Sequence, residues 1–527
     1  MIEDPISFEV IKNALISCSR EMSQALRRTA FSPNIKERRD CSCAIFDDEG
    51  RLVAQSKDIP VHLGAMPMSV KACISALDDE LVEGSMALVN DPYSGGSHLP
   101  DLTLVTPVFS KGERVAFTAN RAHHADIGGE SPGSMPGLST TIHEEGVVIK
   151  PRIIGNDFLL QRDKVKDVLS ETRTPDERLG DLSAQVAANN VGRKRLAEVA
   201  EIYGWEKLSS SFKDVRHYSG HMMKQALAVH HGNSAEFTDY LDSDGAGNWN
   251  IPISIKLAIE RDRVQVDFDG TSEQVSGNVN CPLASTLSSV YYVFIALFGK
   301  DVPVNEGCWS VIEAKVPEGS LLNPRYPAAV SAGNVETSQR IADTTLGALA
   351  KIVPERVPAA SQGTMNNLTI GGRDPRSDSM FSFYETIGGG AGAMRNKVGA
   401  SGIHTHMTNT LNTPIESLET EYPLIVRRYS IRRGTGGDGQ WPGGDGIIRE
   451  IEVLSDRCTI SIQSERRVSR PWGLEGGKDG DLGKNSLIFE GREHSLEAKS
   501  TTVAPRGAMV RIETPGGGGY GPPPTKD

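Results

Sequence analysis

The sequence lacks the features that mark several large classes of protein. No run of 18 apolar residues occurs, so we expect no membrane-spanning helix. The formal net charge of −12 argues against nucleic acid as a partner, since binding to a phosphate backbone calls for basic patches. Seven cysteines, scattered and odd in number, do not make a disulfide framework, and the acidic first residues do not form a signal-peptide pattern. We therefore expect a cytoplasmic protein.

Two common catalytic motifs are also missing. The sequence contains no Gly-Lys-Ser or Gly-Lys-Thr, so a phosphate loop of the usual kind is excluded. No Gly-x-Ser-x-Gly stands between a predicted strand and a predicted helix, so a nucleophile elbow is not expected. The segment 434–439 matches the dinucleotide pattern of glycines, but loop-forming residues 440–444 follow it where a helix is required. We therefore assign no cofactor-binding residues for a nucleotide in this chain.

What is present is a mixed α and β pattern, long enough for several domains. Apolar residues recur every three to four positions over 5–30, which predicts a first helix. An N-terminal α/β region rich in β-hairpins, 1–160, is predicted to carry a metal site. A helical region over 161–234 and an α/β region over 235–365 follow, and 366–527 is rich in glycine and predicted strands. The sequence thus predicts a multi-domain fold with a helical middle.

The metal-site prediction depends on two His-x-x-Asp segments, which run from His98 to Asp101 and from His123 to Asp126. The residues between them have the pattern of a β-hairpin. If that hairpin folds about Gly112, cross-strand partners have numbers that sum to about 224, which sets Asp101 opposite His123. Directly opposed Cβ atoms lie roughly 5 Å apart, and His98 is one loop turn away. Two imidazoles and a carboxylate would then converge, a set that suits manganese, zinc or iron.

Other interpretations of these residues stay open at the level of sequence. Asp101 and Asp126 could cap turns beside surface histidines. Asp40, at the mouth of an earlier predicted hairpin, could supply a further ligand or pair on the surface with a neighbouring arginine. We expect Cys41 and Cys43 to be small buried residues on one face of a strand, rather than zinc thiolates.

Several longer motifs give the chain a resemblance to a known family. It resembles the hydantoinase B/oxoprolinase family, and within it subunits of the N-methylhydantoinase B type. The motifs that carry the resemblance are residues 90–101, 121–136, 331–338, 384–390, 404–410 and 412–416, together with the glycine-rich tail. They run along essentially the whole chain.

The resemblance implies a set of site residues. The implied metal ligands are Asp40, His98, Asp101 and His123, around a divalent manganese, zinc or iron ion. His124 and Asp126 would then stand next to these ligands as the predicted catalytic residues, which would orient a water molecule or accept its proton. His124 would be an alternative ligand if the hairpin register slips by one.

The resemblance also implies a division of labour between two chains. A hydantoinase A-type partner would bind ATP and phosphorylate a small cyclic amide, and this chain, as the B-type component, would hydrolyse the activated ring with the help of its metal. The missing phosphate loop agrees with ATP being bound by the partner. Two alternatives are a component of an ATP-dependent ketone carboxylase, of the acetone or acetophenone carboxylase type, and a non-catalytic partner subunit.

Overall fold

The computed structural model describes residues 4–56 and 58–524. The strands of its first sheet are β1 (Cys41–Asp47), β2 (Leu52–Gln55), β3 (Met86–Val89), β4 (Asp101–Ser110), β5 (Glu113–His123), β6 (Arg152–Asn156) and β7 (Leu159–Leu160). They pair in the antiparallel order β2-β1-β5-β4-β3-β6-β7. The hairpin of β4 and β5 therefore lies at the centre of the sheet, where both of its faces are covered.

Helices cover the two faces of this sheet. They are α1 (Pro5–Thr29), α2 (Pro33–Lys36), α3 (His62–Leu77), α4 (Lys166–Glu171), α5 (Pro175–Tyr203) and α6 (Trp205–Ala228). Side chains alternate along β1, so that Cys41 and Cys43 join the core beneath α1 and α5, whereas Ala44 and Phe46 join the core beneath α3. The predicted first helix and the helical middle are confirmed.

A second sheet lies beyond α3. Its strands are β8 (Ser234–Ser243), β9 (Trp249–Ile259), β10 (Val264–Asp267) and β11 (Ile312–Lys315), in the order β11-β10-β9-β8. Its helices are α7 (Leu283–Phe298), α8 (Glu306–Trp309) and α9 (Ser338–Ala350). α7 packs between α3 and α9, and α9 lies on β8 and β9. A π-helical turn, Gly333–Thr337, leads into α9, a feature that is frequent at functional sites.

The C-terminal part contains two further sheets. The third consists of β12 (Asn367–Arg373), β13 (Met380–Glu385), β16 (Arg457–Gln463) and β19 (Lys499–Pro505), in the order β13-β12-β16-β19. The fourth consists of β14 (Leu424–Arg432), β15 (Gly446–Val453), β17 (Lys484–Phe489), β18 (Arg492–Leu496) and β20 (Met509–Glu513), in the order β14-β15-β20-β17-β18, and helix α10 (Ile415–Glu421) precedes β14.

Glycine-rich segments pack against one another beside the fourth sheet. A Cβ atom on Gly517 would lie 2.1 Å from the carbonyl oxygen of Ala391, so only glycine permits this approach of two backbones. The segment 434–439 belongs to this packing and continues as loop, as predicted.

The mixed fold class is confirmed. The largest buried core contains side chains from Ala44 to Met407, and it crosses the boundaries predicted at 160, 234 and 365. The division into four regions stays a prediction. Within the described ranges, no helix is both long enough and apolar enough to cross a membrane.

Candidate metal centre

The hairpin of β4 and β5 sets Asp101 directly opposite His123, and the predicted register is confirmed. The cause is more specific than a fold about Gly112. Lys111 and Gly112 form a two-residue turn with positive φ angles of 51° and 83°, which pairs residues whose numbers sum to 223. A β-bulge at Val115 adds one residue, so that the sum is 224 at the end where the site lies.

A glycine turn brings His98 to the same place. Gly95 has a φ of +85°, and a Cβ atom on Gly96 would lie 2.4 Å from the carbonyl oxygen of Asn90. The Asn90 side chain holds the turn from outside, because its amide donates to the carbonyl of Leu99 at 2.8 Å. The chain therefore reverses tightly and presents His98 to the first residue of β4.

Three ligand atoms meet at this point. The distances are 3.2 Å between His98 Nε2 and His123 Nδ1, 3.2 Å between His98 Nε2 and Asp101 Oδ1, and 3.3 Å between His123 Nδ1 and Asp101 Oδ1. Among the described residues, these three side chains form the one group of His, Cys, Asp and Glu whose ligand atoms all lie within 4.8 Å of one another. All three side chains are buried. We call this group the His–Asp–His cluster.

The charge states that this burial favours are those of metal ligands. Burial lowers the pKa of His123, so its imidazole tends to be neutral. Burial alone would raise the pKa of Asp101, but the neighbouring imidazoles of His98, His123 and His62 hold it well below its ordinary value. An ionised carboxylate and a neutral imidazole are the forms that bind a cation.

The geometry also fits a single cation. Bonds of about 2.1 Å place two ligand atoms about 3.0 Å apart when they meet at right angles and about 3.4 Å apart in a tetrahedron. The observed separations of 3.2 to 3.3 Å fall between these values. The opposite ring nitrogens, His98 Nδ1 and His123 Nε2, are buried without a hydrogen-bond partner. The adjoining cavity is about 20 Å³, room for about one water-sized particle.

Asp40, the fourth ligand implied by resemblance, lines the same cavity. Its backbone carbonyl accepts a hydrogen bond of 3.1 Å from the amide of His123, which ties the start of β1 to the end of β5. Its carboxylate does not belong to the group of three within 4.8 Å. The structure thus brings Asp40 to the cavity wall, and its role as a ligand stays a prediction.

His124 and Asp126 lie outside the residues that line the cavity. His124 Nε2 is 3.0 Å from Gln185 Oε1 on α5, and burial lowers the pKa of His124 to about 4. Asp126 accepts hydrogen bonds from the amides of Gly128 and Gly133, and from the amide and guanidinium of Arg173. These contacts use the acceptor positions of one carboxylate. The catalytic roles of both residues stay predictions.

Two residues that sequence reasoning missed stand beside the cluster. His62, the first residue of α3, lines the cavity, and its Nε2 is 3.5 Å from Asp101 Oδ2. Tyr384, at the end of β13, stacks on His123 with ring centroids 4.4 Å apart and planes inclined by 13°. Tyr384 lies in a motif that carries the resemblance, which is a usable signal. His62 lies in an apolar stretch with no motif around it.

The expectation for the cysteines is met. Cys41 and Cys43 are both buried thiols without a disulfide. Burial raises the pKa of Cys41 to about 12 and that of Cys43 well above its ordinary value, so neither tends to be a thiolate.

Comparison with known proteins agrees with this geometry. Residues 4–523 match the hydantoinase B/oxoprolinase family. The chain is 41% identical to a 5-oxoprolinase of Dictyostelium discoideum over 98% of its own length, but it spans only 40% of that protein. It is 31% identical to the putative B subunit of a D-/L-hydantoinase from a Pseudomonas species, over 99% of this chain and 90% of that one.

Solved structures show the same fold. The ATP-dependent caprolactamase of Pseudomonas jessenii superposes with a TM-score of 0.92 at 28% identity, over 100% of this chain and 93% of that one. An acetone carboxylase also superposes with a TM-score of 0.92, over 100% of this chain and 76% of that one, but at 19% identity this likeness concerns the fold alone. The match over nearly every residue, together with these relatives, shows that the chain belongs to the hydantoinase B/oxoprolinase family.

Proposed function

We propose that this chain is the catalytic B-type component of an ATP-dependent hydrolase of cyclic amides, and that it acts on a ring amide phosphorylated by an A-type partner. The observation that carries the proposal is the convergence of His98 Nε2, Asp101 Oδ1 and His123 Nδ1 within 3.3 Å in a buried cavity. The relatives named 5-oxoprolinase and caprolactamase support the class of reaction. We place ATP on the partner because this sequence has no phosphate loop.

The residues of this chain divide the work as follows. His98, Asp101 and His123 hold a divalent cation, with Asp40 as the fourth ligand from the cavity wall. Such an ion supplies Lewis acidity and makes water a better nucleophile near neutral pH. An amide resists hydrolysis because its nitrogen donates into the carbonyl, and phosphorylation of the oxygen turns that oxygen into a leaving group. The ligand side chains are buried, so bulk water has little access to them.

We assign positioning roles to the two predicted catalytic residues. The amide of His124 donates to the carbonyl of Pro100 at 2.8 Å, and its ring contacts Gln185 of α5, so it holds the end of β5 against the start of β4. Asp126 organises the turn that follows, through the amides of Gly128 and Gly133. Both residues then act by keeping His123 opposite Asp101.

The test is reconstitution with the partner. The chain is coexpressed with a hydantoinase A-type partner, purified and assayed for ATP hydrolysis with hydantoins, 5-oxoproline, lactams, and ketones with bicarbonate. We expect ATP consumption coupled to the opening of a cyclic amide. ATP consumption that requires a ketone and bicarbonate would assign the chain to a carboxylase, and an active complex that needs no metal would make it a non-catalytic partner. Ring opening by this chain without ATP would contradict the division of labour.

A further inference from the structure

One oxygen of Asp101 is not part of the His–Asp–His cluster. Oδ1 faces His98 and His123, whereas Oδ2 turns away from them and accepts a hydrogen bond from the hydroxyl of Ser97. His62 Nε2 approaches this same Oδ2 to 3.5 Å. The two oxygens of one buried carboxylate therefore have separate surroundings, and those of Oδ2 are supplied by residues outside the predicted ligand set.

His62 lies between a hydroxyl, which can donate or accept, and a carboxylate oxygen, which accepts. The hydroxyl oxygen of Ser42 accepts the amide of Ile59 at 3.2 Å and lies 2.8 Å from His62 Nδ1. Asp101 Oδ2 is an acceptor, since Ser97 donates to it, so a neutral His62 carries its proton on Nε2, which points at this oxygen. His62 Nδ1 is then an acceptor and takes the proton of the Ser42 hydroxyl.

A second chain of donors ends on the same oxygen. The guanidinium of Arg121 donates to the hydroxyl of Ser97 at 3.2 Å, and Ser97 directs its own proton towards Asp101 Oδ2. Arg121 is in turn held by Thr103 and Ser69, so its position is fixed from the sheet and from α3. In both series of hydrogen bonds, each group therefore donates towards Asp101 Oδ2.

We propose that Ser42–His62 and Arg121–Ser97 are two donor chains that position Asp101, and that His62 is a positioning residue of the metal centre. By holding Oδ2, they fix the rotation of the carboxylate and present Oδ1 between His98 and His123. Hydrogen bonds to the outer atoms of a ligand commonly change metal affinity 10- to 100-fold. The inference depends on the proposed function in one respect, namely that the cluster holds a cation.

The experiment is calorimetric titration of the metal-stripped full chain with Mn²⁺, in the wild type and in His62→Ala, His62→Gln and Ser42→Ala. Glutamine can place an amide N–H near the position of Nε2 and an oxygen near Ser42, so His62→Gln tests rescue. Ser219→Ala is the matched control, since it removes a hydroxyl that is also buried, donates to Pro303 and accepts from Asn305, away from the site.

We expect one Mn²⁺ per wild-type chain, at least a 10-fold weaker Kd in His62→Ala, a smaller loss in Ser42→Ala, and a Kd near that of the wild type in His62→Gln and Ser219→Ala. The electron paramagnetic resonance spectrum of bound Mn²⁺ should also change in His62→Ala. A His62→Ala protein in which affinity and spectrum match the wild type, or a His62→Gln protein that binds no better than the alanine variant, would overturn the inference alone. A wild-type chain that binds no Mn²⁺ would overturn the proposed function as well.

Discussion

Two buried charged clusters in this molecule are built on opposite principles. The first is the His–Asp–His cluster, which contains a carboxylate and two imidazoles. The second, which we call the ionic cluster, joins α9 to β8, β19 and the loop after β16. It contains as many cationic as carboxylate side chains, namely Arg340, Arg466 and Lys499 with Asp239, Asp343 and Glu465.

The difference lies in how each cluster satisfies its own charge. Arg466 Nη2 contacts Asp239 at 3.0 Å and Asp343 at 2.6 Å, and Arg340 contacts Glu465 at 3.2 Å, so the ionic cluster is paired from within. In the His–Asp–His cluster, by contrast, none of the described lysines or arginines forms an ion pair with Asp101, and three ligand atoms meet without a cationic side chain among them. Buried carboxylates that are paired with cationic side chains need no further partner. A buried set of ligand atoms without a cation is incomplete in this sense, and it indicates a cation that comes from outside.

The largest effect is expected from a substitution in the ionic cluster. Arg466→Met leaves Asp239 and Asp343 buried without their nearest arginine, so we expect a loss of about 3–5 kcal/mol in the free energy of unfolding, measured by denaturant titration. Arg373→Met, which removes the exposed pair with Asp378, is the control and should cost less than about 1 kcal/mol. Equal losses in the two variants would contradict the contrast between them.

The next largest effect is expected from a substitution in the His–Asp–His cluster. Asp101→Asn keeps the shape of the side chain but removes its charge, so we expect metal affinity to fall by more than about 100-fold while the free energy of unfolding without metal changes little. Calorimetric titration with Mn²⁺ and chemical denaturation measure the two quantities. A variant that loses stability but keeps its metal would make Asp101 a structural residue, like Asp343.

Glu336, in the π-helical turn before α9, tests a third case, a buried carboxyl without a cationic partner at hydrogen-bond distance. Its Oε1 accepts from the amide of Met365 and from Asn367, and Oε2 has no partner. Burial raises the pKa of Glu336 from 4.5 to about 8. The folded protein therefore keeps this proton between about pH 4.5 and 8, where the unfolded chain has lost it.

The sign of the pH dependence follows from that proton. Because the unfolded state binds fewer protons in this range, Glu336 makes the free energy of unfolding fall as pH rises, by about 1.4 kcal/mol per pH unit. Glu336→Gln should remove this contribution. The measurement is denaturation of both proteins at pH 5, 6, 7 and 8, and parallel curves for the two would show that Glu336 is not protonated in the fold.

The smallest effect is expected from the aromatic ring that packs on the His–Asp–His cluster. Tyr384 stacks on His123, and its hydroxyl donates to Asn367 at 3.0 Å. Tyr384→Leu removes the ring that fixes His123, and we expect metal affinity to fall about 10-fold. Tyr384→Phe keeps the ring and should bind within a few-fold of the wild type. A Tyr384→Phe protein that binds metal as weakly as Tyr384→Leu would contradict this role of the ring.

The hairpin of β4 and β5 shows which structural features the sequence predicts and which it does not. Alternating apolar residues on both sides of a Lys-Gly turn predict β4 and β5, and counting from that turn sets Asp101 opposite His123. The bulge at Val115, on which the final register depends, has no clear mark in the sequence. The predicted register is correct because the assumed centre of the turn compensates for the bulge that was not foreseen.

Contacts between distant parts of the chain could not be predicted, for a different reason. His62 comes to Asp101 because α3 packs across the sheet, and Tyr384 comes to His123 because β13 of another sheet ends there. Neither contact follows from local spacing. The sequence offers Asp40 as a further ligand from its place at the mouth of a predicted hairpin, and the resemblance implies it. The pairing of β1 with β5 is what brings Asp40 to the cavity.

The most direct test of the central claim is anomalous X-ray diffraction from crystals of the full chain soaked in Mn²⁺, recorded at the manganese absorption edge. The account predicts a single strong peak bounded by His98 Nε2, Asp101 Oδ1 and His123 Nδ1. A crystal that shows no peak at this position, or binds its manganese elsewhere, would contradict the claim that this incomplete cluster is built for a cation.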